Sequence, residues 1–191
     1  MIKLSPETFQ RLEKKALRMA PYPDPRFPPS PYYRFLRVLA AEMEPSLSVE
    51  LGVCGGGASF HLAIGWTGGT VVGVEHAIGS PHEQANWKFM DENCDNFEFW
   101  RGDSVTSAPD IFNKFGKVGI LFIDTIHTYR RTIDEFEAWR PYLAEDAVVC
   151  LDDLHRMEMG GLWKWMPGNK LRLDDLHPGG DEGGFGVVWK P

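Results

Sequence analysis

The stretch KVGILFID, residues 117–124, most constrains what this chain can fold into. Between its lysine and its aspartate no residue is charged or polar. An apolar run this short and without alternation fits a strand covered on both faces. Similar segments recur along the chain: LSVEL (47–51), TVVGVE (70–75), NFEFWRGD (96–103) and AVVCLDD (147–153). Between them, SFHLAIGW, EQANWKFMDENC and TYRRTIDEFEAWRPYL carry helical spacing, the last with Tyr129, Ile133, Phe136 and Leu143 in phase. KLRLDDL and FGVVW near the end read as an antiparallel pair. Strands alternating with helices predict a doubly wound, mostly parallel α/β sheet with helices on both faces and an antiparallel C-terminal edge strand.

This alternating region is expected to span residues 46–191 as one domain, preceded by an extension over residues 1–45. In that extension Ser5 caps a helix over 5–19, with Phe9, Leu12, Ala16 and Met19 on one face. PYPDPRFPPSP (21–31) is too rich in proline for a helix or inner strand, and reads as a wrapped linker or a lid. A second helix is expected from about Tyr32 to Met43.

Bulk properties exclude several classes. The net charge, 20 − 27 = −7, opposes a phosphate backbone, so no nucleic-acid partner is expected. No apolar run reaches the roughly 18 residues of a membrane span, and the N-terminus lacks a signal-peptide core. A cytoplasmic protein without membrane contact is the expectation. Three cysteines, Cys54, Cys94 and Cys150, with no CxxC pair, suggest buried thiols rather than a disulfide or zinc framework.

VELGVCGGGAS (49–59) places glycines at the carboxyl end of the first alternating strand, where α/β folds bind ligands. The dinucleotide spacing G-x-G-x-x-G is absent, which disfavours an NAD-dependent oxidoreductase, and no GK[ST] occurs. Glu50, Gly52 and Gly56 instead form E-x-G-x-x-x-G. Downstream, Glu75 ends a strand, and Asp103 with Ser104 ends the next. In this order the features resemble class I S-adenosylmethionine-dependent methyltransferases. The resemblance implies a Rossmann-like seven-stranded sheet. It also implies S-adenosylmethionine contacts from Glu50, Gly52, Gly56 and Ser59, ribose recognition by Glu75, and adenine recognition by Asp103 and Ser104. It leaves Cys54 and the further glycine beside Gly56 without a role.

FIDTIHTY (122–129) and CLDDLHR (150–156) bring Asp124, His127, Asp152, Asp153 and His155 to the same sheet end. Clustered carboxylates repel and resist burial, so they usually surround a cation. Mostly oxygen ligands suit Mg²⁺, Mn²⁺ or Ca²⁺ better than zinc. Asp152 and Asp153 are neighbours, so both can face one ion only if the strand has already ended.

D-x-x-H followed by a double acid is similar to the metal-dependent sugar O-methyltransferases of the macrocin and mycinamicin type and to the cephalosporin hydroxylase-like group. That similarity implies Asp124, Asp152 and Asp153 as ligands of Mg²⁺ or another divalent cation, and His127 as general base. Asp152 stands where the macrolide enzymes commonly carry glutamate. His155 reads as structural. The expected partner is a small hydroxylated acceptor. Met157, Met159, Trp163, Trp165 and Met166 would wall that acceptor, pack on the core, or form an interface in a homo-oligomer. A methyltransferase without metal and a non-catalytic cofactor-binding scaffold are the alternatives.

Overall fold

The computed structural model describes residues 2–27, 30–156, 158–180 and 183–191. Helices α1 (Pro6–Arg18) and α2 (Pro31–Met43) come first. Then follow β1 (Leu47–Leu51), α3 (Gly57–Gly65), β2 (Thr70–Glu75), α4 (Pro81–Asn93), β3 (Phe97–Arg101), α5 (Ala108–Phe115) and β4 (Val118–Ile123). The chain continues through α6 (Tyr129–Trp139), β5 (Leu143–Leu151), α7 (Met159–Trp165), β6 (Asn169–Arg172) and β7 (Gly186–Trp189). One seven-stranded sheet results, in the order β3-β2-β1-β4-β5-β7-β6. β1 to β5 pair in parallel, and β7 runs antiparallel between β5 and β6. This is the doubly wound sheet expected from the alternation, with its antiparallel pair at the C-terminal edge.

The two-residue period of a strand divides the core into two layers. Leu47, Val49 and Leu51 of β1 join Leu121 and Ile123 of β4 in a cluster covered by α5, α6 and α7. On the other face, Ile120 and Phe122 of β4 meet Phe9 of α1, Phe35 of α2, Phe60 of α3 and Met90 of α4. Residues 1–45 therefore contribute core on one side of the sheet. Ser5 caps α1 as the spacing predicts, its hydroxyl accepting from the Thr8 amide at 3.3 Å. Phe27 of the proline segment lies flat on Phe60, with centroids 4.0 Å apart and planes 5° apart. The Arg26 guanidinium sits 3.5 Å above the Phe89 ring. Pro28 and Pro29 lie outside the described residues.

Two helices depart from the sequence expectation. α5 arises from SAPDIFNKFG, with Pro109 in its first turn and Gly116 at φ +89° closing it. Only Ala108 and Ile111 of it are buried, too few to show a period. α7 forms in the Met- and Trp-rich segment after the double acid, where the sequence pattern predicts no helix. Its Met159 and Leu162 are buried with Met166, and Trp165 meets Phe136 edge-on at 5.9 Å. Core packing thus accounts for Met159 and Met166, while Met157 lies outside the described residues. Among the described residues no helix is long and apolar enough to cross a membrane.

Phe27 is 1% exposed and stacked, so Phe27→Ala should cost about 3 kcal/mol or more. A lowered urea midpoint with one cooperative transition is expected. An unchanged midpoint would show that the proline segment does not belong to the folded core.

Candidate active site

β1 and β4 are neighbours in the sheet, yet the chain leaves β1 towards β2 and leaves β4 towards β5. The crevice between their carboxyl ends is the topological switch point, where doubly wound sheets bind ligands. Gly52 leaves β1 at φ +88°, and a Cβ there would lie 2.1 Å from the Asp124 carbonyl oxygen. Only glycine satisfies both conditions. Gly56 adopts φ +81° as it enters α3, and a Cβ on Gly57 would strike the Tyr33 ring at 2.4 Å. The glycine beside Gly56 is therefore required by packing on α2.

Glu50 lies beneath this loop, 2% exposed, and lines neither cavity described below. It accepts from the Ser59 amide at 2.7 Å and from the Ser59 hydroxyl, tying the strand end to the first turn of α3. Burial pushes the Glu50 carboxyl up to about 8, against these hydrogen bonds, which favour the anion. In this structure Glu50 and Ser59 hold the loop rather than facing its open side. Cys54 is exposed rather than buried as expected, unlike Cys94 and Cys150, and at φ +43° it also acts through its backbone. Its carbonyl accepts from Trp87 Nε1 at 2.7 Å, and its amide lies 3.4 Å from Glu75 Oε2.

Two cavities open above the strand ends. The smaller, about 200 Å³, is lined by Gly52, Val74, Glu75, Gly102, Ser104 and Ile126 among others. Here Glu75 also accepts from the Ala77 amide at 2.9 Å. Ser104 donates to Glu135 Oε1 at 2.5 Å, and Thr125 donates to Glu135 Oε2 at 2.9 Å. Arg131 ties the same group to Asp103, with Nη2 2.6 Å from Asp103 Oδ2 and 2.7 Å from Ser104 Oγ. Its hydrogen bond holds the Asp103 carboxyl below the usual carboxylate range. Asp103 Oδ1 caps the Val105 and Thr106 amides and does not line the cavity, whereas Ser104 does. Arg131 and Glu135 carry no spacing signal in the sequence, where α6 has the pattern of an ordinary charged helix.

The larger cavity, about 540 Å³, lies on the other side of Cys54, Asp124 and Thr125, which line both. Tyr32 and Tyr33 of α2, Arg26, His82, Asn86 and His127 wall it. Burial raises the pKa of both tyrosines well above the usual phenol range, so both hydroxyls stay protonated donors.

Beside it sit the acids. β5 ends at Leu151, and Asp153 takes φ +54°, so the strand has ended and the two carboxylates are free of strand alternation. Asp152 is 3% and Asp153 5% exposed. One donor atom each from Asp152, Asp153 and His177 lie within 4.8 Å of one another. His127 Nε2 lies 3.4 Å from Asp124 Oδ1 and 3.5 Å from Asp153 Oδ2, linking Asp124 to this group. Arg156 Nε approaches Asp153 Oδ2 at 2.7 Å. Burial, then the charges of Asp152, Glu50 and Asp153, raise Asp124 well above the ordinary carboxylate range. Burial lowers the His127 pKa despite the acids around it, favouring a neutral ring. His155 meets the Gly180 carbonyl at 2.6 Å, a loop contact in keeping with a structural role. His177, from the loop before β7, had no spacing signal in the sequence.

Residues 49–154 match a family model described as a methyltransferase domain, more than half of the 191-residue chain. The chain belongs to this methyltransferase-domain family. No curated protein matches it in sequence. Its fold is similar to that of an O-methyltransferase from Bacillus cereus in complex with SAH, at 20% identity and TM-score 0.67, covering 99% of this chain and 92% of that one. It is similar to the O-methyltransferase TomG from Streptomyces achromogenes, involved in tomaymycin synthesis and solved with SAM, at 15% identity and TM-score 0.68, over 99% and 92%. A methyltransferase from Geobacter sulfurreducens matches at 20% identity and TM-score 0.63, over 99% and 91%. The class I methyltransferase fold expected from the glycine loop is therefore present.

The raised Glu50 pKa sets a sign for stability. A carboxyl raised by folding contributes stability fully below its unfolded value, near 4.5, and loses it as pH rises through about 8. Wild-type stability relative to Glu50→Gln should fall across that window in urea unfolding at several pH values. Parallel pH profiles for the two proteins would contradict the raised value.

Proposed function

We propose that this methyltransferase acts on oxygen: it moves the methyl of S-adenosylmethionine to a hydroxyl of a small molecule such as a sugar or natural product, assisted by a divalent cation. One observation carries this reading. Asp124 and Thr125 line both cavities, so a cofactor bound over Glu75 and Ser104 abuts an acceptor beside the clustered acids.

Methyl transfer is an in-line displacement: the acceptor oxygen forms a bond to the methyl carbon, the carbon–sulfur bond breaks, and the thioether leaves without a proton. The hydroxyl proton needs a base. His127, lining the acceptor cavity with a lowered pKa, is suited to take it. Asp124, Asp152 and Asp153 are the proposed cation ligands, and the burial of clustered carboxylates fits a cation. Such an ion, when bound, lowers the pKa of a ligated hydroxyl and fixes its orientation. Tyr32 and Tyr33 would donate hydrogen bonds to further acceptor oxygens. Gly52 and Gly56 would bring the backbone close to the methionine end of the cofactor, while Glu75 would receive its ribose. The named O-methyltransferases of the same fold agree with oxygen as the accepting atom.

A reading without metal has one observation in its favour. Arg156 and His177 already place nitrogens 2.7 Å and 2.8 Å from the Asp153 and Asp152 carboxylates. Thermal unfolding separates the two. Saturating S-adenosylhomocysteine, at about 100 times its Kd, adds about 2.7 kcal/mol and should raise Tm by about 5–10 °C, while NAD does nothing. A divalent cation should add to the shift in wild type and not in Asp153→Ala. A shift with NAD alone would sink the cofactor assignment, and an equal cation response in Asp153→Ala would remove the metal.

A further inference from the structure

The acids at the end of β5 are accompanied by an imidazole that no sequence motif indicates. His177 follows a single 3-10 turn at Asp174–Leu176, and its backbone is held on both sides. Its amide donates to the Asp174 carbonyl at 3.1 Å, and its carbonyl accepts from Gly184 at 2.8 Å. Tyr32 packs against the ring, with centroids 4.9 Å apart. The imidazole is thus oriented by groups outside the acidic cluster.

Its Nδ1 points into that cluster, 2.8 Å from Asp152 Oδ1 and 3.9 Å from Asp153 Oδ1. Asp153 divides its oxygens: Oδ2 faces Arg156 and His127, leaving Oδ1 on the His177 side. Ligands about 2.1 Å from one ion at right angles lie about 3 Å apart, and the observed separations bracket that spacing.

We propose that His177 supplies a nitrogen ligand to the divalent-cation site through Nδ1, beside Asp152 and Asp153, so that the site selects a first-row transition ion such as Mn²⁺ over Mg²⁺. The inference rests on the divalent-cation reading above and deepens it. Imidazole is a borderline-soft ligand that favours transition ions, whereas Mg²⁺ prefers oxygen and keeps its water. The acids alone favour Mg²⁺; a nitrogen donor beside them shifts that preference. Ligation requires the His177 ring neutral with its proton on Nε2.

Mn²⁺ binding to the full chain, followed by electron paramagnetic resonance with Mg²⁺ as competitor, tests this without any turnover measurement. Wild type should bind Mn²⁺ and show the ¹⁴N hyperfine coupling of a directly bound imidazole in pulsed spectra. His177→Ala and His177→Asn should lose that coupling and reduce the Mn²⁺ preference over Mg²⁺ about tenfold. His127→Ala should keep the coupling. Any N/O site binds transition ions better than Mg²⁺, so the change in ratio, not the preference itself, is diagnostic. Retained S-adenosylhomocysteine binding shows that the variants are folded. Coupling that persists in both His177 variants, or an unchanged ratio, overturns His177 ligation while leaving the metal reading standing. Absence of any Mn²⁺ or Mg²⁺ binding to wild type overturns both.

Discussion

The site depends on the contact of one backbone with another at the centre of the sheet. Gly52 leaves β1 so close to Asp124 that a methyl group on its Cα would overlap the Asp124 carbonyl. The Asp124 amide in turn donates to the Leu51 carbonyl at 2.9 Å, and the Gly52 amide donates to Val74 at 2.9 Å. These bonds extend the sheet one step past β1 and β4 and then release both chains into loops. A side chain at residue 52 would push β4 away and separate the glycine loop from the first acid. The juxtaposition of the two cavities follows from this approach.

Around that contact the structure manages buried charge in two ways. On the smaller cavity, Glu135 is fully buried but accepts from Ser104 and Thr125 and pairs with Arg131, so its lone pairs are occupied. This network runs from α6 to the loop after β3, holding both walls at fixed spacing. Among the acids, compensation is partial. Asp124 faces Asp152, Asp153 and Glu50, and burial drives its pKa up. The left-handed conformations of His127 and Asp153, at φ +49° and +54°, direct these side chains inward at a local cost of about 1 kcal/mol each. Backbone strain and unbalanced charge in one place are characteristic of sites built for a ligand.

Much was legible from local pattern. Apolar runs without alternation marked the strands buried on both faces, and glycine spacing excluded a dinucleotide loop. Asp124 and Asp153 were legible because strand ends in α/β sheets are ligand sites. α5 was not, since two buried residues in eight positions carry no period. The inward turn of Glu50 was not either: its position at a strand end says nothing of which face it takes, and sheet alternation places it under α3 against Ser59.

The sequence by itself determined the alternation of strands and helices, the glycine cradle and the clustering of acids. These follow from period, chirality and conformational preference, which act over a few residues. Only the tertiary structure decided that β5 ends before Asp152. It also brought His177, 25 residues further on, to 2.8 Å from that carboxylate, and set Arg131 and Glu135 beneath the smaller cavity. Those contacts join segments distant along the chain, and they form only when β7 inserts between β5 and β6 and α6 packs on the sheet. No local preference encodes such contacts, because their energy comes from packing and charge compensation between elements.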